Sequence, residues 1–273
     1  MQHKTVLFTA AIGIAVLSVS FLLRQSRLAA ADEQPNTQDK RTPVIVELFT
    51  SEGCSSCPSA DKLLANLVKK QDIPGAQIIA LSEHVDYWNR LGWADPFSSA
   101  AFSARQSEYA QGFRLDSVYT PQMVVDGQSE FVGSDSVQAR SAIVRLAKSP
   151  KATVTVEKVE TKGLMKPNAL PLQVTVTPGS GARHGETADV YLAVTEDNLR
   201  SEVRRGENSG RTLDHVAVVR SMIKIGTITG ADPTVVKPVP TLNPTWKRKD
   251  LNAVVFVQER GSHRIVGAGT LAL

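Results

Sequence analysis

The chain has only two cysteines, Cys54 and Cys57, and they stand in a single C-x-x-C unit. An apolar run over residues 44–49 leads into them and an amphipathic helical pattern follows. A strand that ends in a cysteine pair at a helix start brings the thiols to unpaired N–H groups and partial positive charge, which favour a thiolate on the first cysteine. Three plainer roles compete. As a staple the pair closes a loop of about four residues, for which chain entropy gives only about 2 kcal/mol. As a zinc site it lacks the second C-x-x-C or H-x-x-x-H that would complete four ligands. As inert core thiols the pair would sit beside Ser55, Ser56 and Pro58, a polar helix start rather than a packed one. A redox-active Cys54–Cys57 disulfide is expected, with no other cofactor and no resident metal.

The compartment bears on that chemistry. Residues 1–31 read as an export signal: Lys4 supplies the positive start, residues 6–23 are mostly apolar and uncharged, and Ala29-Ala30-Ala31 offers small residues for cleavage. Eighteen such residues also suffice for an uncleaved anchor, and Arg24 and Arg27 follow the run directly. Either way the body is expected in the periplasm or outside the cell, tethered to the inner membrane only if residues 6–23 are retained. Disulfide chemistry operates there. Setting aside Lys4, Arg24 and Arg27 leaves 28 basic against 27 acidic residues. They are scattered, so nucleic acid is not an expected partner.

Polar, aperiodic residues 32–42 form the expected linker. Residues 43–49 and 77–85 read as strands, with a helix from Cys54 or Ser55 between them. Ala60, Leu63, Leu64, Leu67 and Val68 fall at helical spacing, and Pro58 suits the first turn. A second helix is predicted with Asp95 as cap, Pro96 at its first position and Gly112 just past its end. A hairpin turning at Asp126-Gly127 and a third helix capped by Ser134 or Asp135, with Gln138 at capping-box spacing, complete residues 43–149. After Pro150, strand-like runs recur at 153–159, 172–177, 190–195, 216–225, 253–258 and 265–271, which suggests a smaller all-β, sandwich-like domain over 150–273.

The cysteine pair, the order strand-helix-strand-helix-strand-strand-helix and Thr120-Pro121 together resemble the thioredoxin-like fold. That resemblance implies that the Thr120–Pro121 bond is cis and faces the cysteines. More closely, Val46 to Pro58, His84-Val-Asp-Tyr-Trp, Gly92-Trp-Ala-Asp-Pro-Phe, Tyr119-Thr-Pro-Gln-Met and Gly206-Glu-Asn-Ser-Gly-Arg with His215 are similar to a family of bacterial secreted thioredoxin-like proteins labelled a domain of unknown function. The fold class so implied is an α/β thioredoxin-like domain followed by the β-rich domain. Gly53 stands where thioredoxins carry tryptophan, and Ser55-Ser56 replaces Gly-Pro, so a redox potential does not transfer.

The expected chemistry is thiol–disulfide exchange on protein or small-thiol disulfides. Cys54, taken as the more exposed cysteine, attacks and Cys57 resolves, with a membrane reductant or oxidant as a further partner. Glu47, seven residues before Cys54, is the candidate proton acceptor for Cys57 if a bulge absorbs the extra residue, against the plainer role of a strand-end glutamate facing solvent or a salt bridge. Strand–helix–strand crossover places the loop after the second strand on the same sheet edge as the cysteines, so His84, Asp86, Tyr87 and Trp88 are candidate partner-binding residues. Glu52 works against a low thiol pKa. Two readings from other classes stand beside this one. Soft-metal handling would use both cysteines and His84 around Cu(I), and a redox-inactive binding module would leave the dithiol without chemistry. The loop 204–211 reads as a solvated hairpin loop, an anion-binding loop or a contact to the first domain.

Overall fold

The computed structural model describes residues 41–160, 166–179, 186–230 and 232–273. The signal or anchor at 1–31 and nearly all of the linker lie outside them. No helix among the described residues is long and apolar enough to cross a membrane.

The first half keeps the predicted element order. β1 (Thr42–Thr50) runs parallel to β2 (Ala76–His84), with Thr50 opposite His84, and α1 (Cys57–Lys70) makes the crossover. α2 (Ala100–Phe113) follows, then β3 (Gln122–Val125), β4 (Ser129–Val132) and α3 (Ser136–Leu146). Local chemistry explains the boundaries. Asp126 and Gly127 both take positive φ, as a tight hairpin requires, and Gln128 N–H bonds Val125 C=O. Asp135 caps α3 by accepting from the N–H groups of Val137 and Gln138, while Gln138 returns a bond to Asp135.

Two helix starts differ from expectation. α1 begins at Cys57, because residues 51–57 first form two tight turns, Cys54 N–H to Ser51 C=O and Cys57 N–H to Cys54 C=O, both 3.2 Å. α2 is capped by Ser99, whose hydroxyl accepts from Ala101 N–H, and Gly112 lies inside it. Asp95 is drawn away from the cap position by His84 and by the Glu52 N–H.

The second half consists of strands β5 (Ala152–Lys158), β6 (Leu172–Thr177), β7 (Thr187–Glu196), β8 (Leu199–Glu202), β9 (Thr212–His215), β10 (Val218–Thr229), β11 (Thr234–Val236), β12 (Leu251–Glu259) and β13 (Ile265–Ala272). They do not form a separate sandwich. Eleven strands make one mixed sheet, β11-β6-β5-β13-β12-β7-β10-β2-β1-β3-β4, and β8 and β9 pair only with each other. The join is short: Val218 lies opposite Ser82 in parallel, and Ser82 N–H bonds Ala217 C=O at 2.8 Å.

This continuous sheet overturns the reading of a self-standing thioredoxin-like α/β domain followed by a β domain. The physical reason is a shared core. Ile45, Ile79 and Leu81 from the β1–β2 face pack with Phe102 of α2 and with Ala193, Val254 and Phe256 from β7 and β12. On the opposite face, Val44, Val46 and Leu48 pack against α1 and α3. β12 is buried on both faces, with Ala253, Val255 and Val257 in the core of the β-rich half and Val254 and Phe256 in the shared core. The unbroken apolar run from Ala253 to Val257 is the sequence signature of such a doubly buried strand.

Candidate functional site

At the carboxyl ends of β1 and β2 the chain turns through Ser51–Pro58, and Cys54 and Cys57 are joined there in a disulfide, Cα to Cα 5.4 Å. Both cysteines are fully buried. The expectation that Cys54 is the more exposed of the two is therefore corrected: the segment between β8 and β9 lies on it. Asn208, also fully buried, donates through its side-chain amide to the carbonyls of Glu52 and Cys54, each at 2.8 Å. Glu207 accepts the Ser55 N–H at 2.9 Å.

Beneath the turn lies a buried acid–imidazole cluster. The Glu52 carboxylate accepts from Trp93 Nε1 at 2.7 Å and lies 3.1 Å from His215 Nε2. Its own N–H bonds Asp95 Oδ2 at 2.8 Å, and that same oxygen lies 2.7 Å from His84 Nδ1. The rings of His84 and His215 meet edge to face at 4.9 Å, and both contact Phe97. Their remaining ring nitrogens, His84 Nε2 and His215 Nδ1, have no hydrogen-bond partner among the described residues. Asp61, one helical turn beyond Cys57, accepts from Thr50 Oγ1 at 2.9 Å.

The electrostatics follow from this enclosure. Burial works to lower the His84 pKa, but the carboxylates of Asp95, Asp61 and Glu52 together outweigh it and the net direction is upward. Burial alone would raise Asp95, yet the His84 pair and two backbone N–H bonds hold it below the usual carboxylate range. Burial raises Asp61, with both imidazoles opposing. Glu52, expected only to disfavour a thiolate, is instead an anchor that ties the cysteine turn to Trp93, His215 and Asn208.

The other predicted residues divide into two groups. Thr120–Pro121 is a cis peptide, as the resemblance implied. Thr120 Oγ1 accepts from Trp88 Nε1 at 2.8 Å, and Trp88 covers Gly53 so closely that a Cβ there would lie 3.2 Å from the Trp88 Cβ. Trp88, Thr120 and the cysteine turn therefore come together. Asp86 and Tyr87 are engaged by α2: Asp86 accepts from Ser103 Oγ at 2.6 Å and the Tyr87 hydroxyl donates to Gln106 at 3.1 Å.

Glu47 does not meet its expected role. Alternation along β1 puts it on the α2 face, opposite the side that α1 covers. It is held there by Arg105 Nε at 2.6 Å and by the Tyr109 hydroxyl at 2.5 Å, which is the salt-bridge alternative in buried form. Among the described residues no group of three or more His, Cys, Asp or Glu side chains is arranged to hold a metal ion.

Sequence reading missed Asp61, Asp95 and Asn208 as neighbours of the disulfide. Residues 43–57 carry no mark of a partner more than 150 positions away, although the polar, glycine-bearing stretch 204–211 is visible as a unit. Its contact to the first half was one of the three expectations for it, and that contact is made.

The fold has known counterparts. The crystal structure of a protein from Agrobacterium tumefaciens is similar over 85% of this chain and 94% of its own, at 28% identity and a TM-score of 0.64. HBP35 of Porphyromonas gingivalis shares the fold over 85% of this chain and 76% of its own, at 17% identity and a TM-score of 0.57. No curated protein matches the chain. Residues 45–258 match the family described as "Protein of unknown function (DUF1223)", and the chain belongs to that family.

Proposed function

We propose that the chain is an exported thiol–disulfide exchange protein whose reacting bond is Cys54–Cys57. The observation that carries this reading is the placement of that bond. It links residues three apart in one turn before α1 and bridges no two distant elements, while Glu52, Asp95, Asn208 and Glu207 supply the turn's support. A disulfide that contributes so little as a staple is explained by reactivity.

From the oxidised state, a partner thiolate attacks one sulfur, forming a mixed disulfide and releasing the other cysteine. The partner's second thiol then attacks the partner sulfur of that mixed disulfide and displaces the bound cysteine, leaving the partner oxidised and Cys54 and Cys57 as thiols. The two protons of the partner's thiols end on the two cysteines. Run in reverse, the same steps reduce a partner disulfide. Support for location outside the cytoplasm is the charged, apolar, small-residue order of residues 1–31.

The test is trapping with Cys57→Ser. Mixed disulfides on Cys54 should accumulate with protein or small-thiol partners, and thiol trapping across a glutathione series should give one two-electron transition for the wild type. A wild type that shows no interconvertible forms, with no adduct on the variant, overturns the reading. Burial of both sulfurs favours a second reading, a redox-inert binding module. In that case Cys54→Ser/Cys57→Ser would bind its partner as the wild type does.

A further inference from the structure

The turn that covers the disulfide belongs to a part of the molecule held apart from the main sheet. β8 and β9 pair with each other from Leu199 opposite His215 to Glu202 opposite Thr212, and with no strand of the eleven. Their connection is closed on itself by Gly210 N–H to Val203 C=O at 2.8 Å and by Arg211 N–H to Asn208 C=O at 3.1 Å. Gly206 and Gly210 take φ of 77° and 81°, which only glycine adopts without strain. From this preformed turn, two side chains reach the redox segment. The Asn208 amide bridges the carbonyls of Glu52 and Cys54, and Arg211 Nη1 holds the amide oxygen at 3.0 Å, fixing which end points at the carbonyls. Glu207, an exposed side chain, takes the Ser55 N–H.

None of these bonds is needed to build the main sheet or α1. They do one thing: they hold a polar turn against the peptide groups on both sides of Cys54, whose residue has no exposed surface. The cysteine turn is otherwise backed by Trp88 and the cluster below, so the β8–β9 turn, beside the exposed Ser55 and Ser56, borders the side from which a reactant would approach.

We propose that Asn208 and Glu207 are the access-determining residues of the Cys54–Cys57 disulfide, which reacts only when the turn at 206–211 is released from residues 52–55. This rests on the exchange reading for its biological meaning, but not for its test.

The test uses the oxidised full chain and tris(2-carboxyethyl)phosphine. In that reaction the phosphine takes oxygen from water to become its oxide, and the disulfide receives two electrons and two protons to give two thiols. Quenching with iodoacetamide and mass measurement give the rate. Asn208→Ala should react at least tenfold faster than wild type. Asn208→Asp should show a variant-to-wild-type ratio larger at pH 8 than at pH 4.5, because an ionised carboxylate repels the two carbonyls whereas the acid form can still donate to one. A merely structural loss would give no such pH split.

Glu207→Ala should react two- to fivefold faster and Glu207→Gln, which keeps an acceptor oxygen, should return towards wild type. Should the Asn208 variants fail to fold, this exposed pair decides the matter. Rates within twofold of wild type for every folded variant overturn the proposal. The two readings also separate cleanly. If the phosphine rate rises as stated while no thiol partner exchanges with either form, the exchange reading falls and the cap stands. If thiol partners exchange and all phosphine rates agree, the cap falls alone.

Discussion

Glu83→Gln should make the protein gain stability over wild type steadily as the pH rises. Glu83 is fully buried, and neither of its carboxyl oxygens has a hydrogen-bond partner among the described residues. Burial is the chief cause that pushes its pKa well above the usual glutamate range, and the neighbouring Glu47 carboxylate adds to it. Arg105 opposes but lies 3.6 Å from Glu83, against 2.6 Å from Glu47. One guanidinium thus serves two carboxyls, and the less favoured one holds its proton to higher pH.

The folded pKa lies above the unfolded value, so the native state holds a proton that the unfolded chain gives up. The contribution of neutral Glu83 is fully present below about pH 4.3, the unfolded value, and is lost as pH climbs towards the native pKa. The slope is about 1.4 kcal/mol per pH unit for one proton. Glu83→Gln carries no such proton, and its amide can donate to Glu47. The variant-minus-wild-type difference should therefore widen by about 1.4 kcal/mol for each unit between pH 5 and the native pKa. Urea unfolding at pH 5, 6 and 7, with m-values compared, reads this directly. A difference that stays constant across the three pH values refutes the assignment of a protonated Glu83.

Four further outcomes follow from other parts of the molecule. Gly127→Ala should destabilise on the order of 3 kcal/mol, since φ is 64° and the new Cβ would lie 2.0 Å from the His263 carbonyl oxygen. Gly75→Ala, at φ 73° with nothing within 4 Å, should cost only about 1 kcal/mol in the same urea assay. Trp93→Phe removes the donor to buried Glu52, and should cost about 1–3 kcal/mol with faster amide exchange confined to the cysteine turn and β9. Burial alone would raise the Asp189 pKa, but Arg260, Lys224 and Thr227 pull it down to about 2. Its stabilisation is present above the ordinary aspartate value and lost as pH falls through about 2. Asp189→Asn should therefore cost about 1 kcal/mol at neutral pH, reduced by solvent around the cations, and nothing in strong acid.

The contrast between Glu47 and Asn208 shows how far the site could be read from residues alone. A strand-end glutamate near a cysteine pair invites a proton-transfer role, and the one extra residue between them decides against it, because one position along a strand reverses the face. No bulge absorbs the extra residue, since β1 keeps unbroken register with β2 from Thr42 to Thr50. Asn208 offered no such invitation. Its meaning comes from two carbonyls 154 and 156 positions away. Likewise Asp95 looked like a helix cap because caps are local. A buried imidazole and a buried N–H competed for its carboxylate, and Ser99 was available to cap α2 in its place.

The sequence by itself determined the elements and their order: period 3.6 in α1, the Asp126-Gly127 hairpin, the Asp135–Gln138 cap and most of the later strands. Each rests on contacts within a few residues, where propensity and turn chemistry act. It also singled out Cys54 and Cys57, and through a family resemblance the cis Thr120–Pro121 bond. Only the tertiary structure decided that the two halves share one sheet, because that depends on Val218 finding the free edge of β2 and on β12 burying both its faces. It likewise decided that the disulfide is covered: a C-x-x-C turn exposes its carbonyls by default, and whether anything comes to satisfy them is settled by long-range packing.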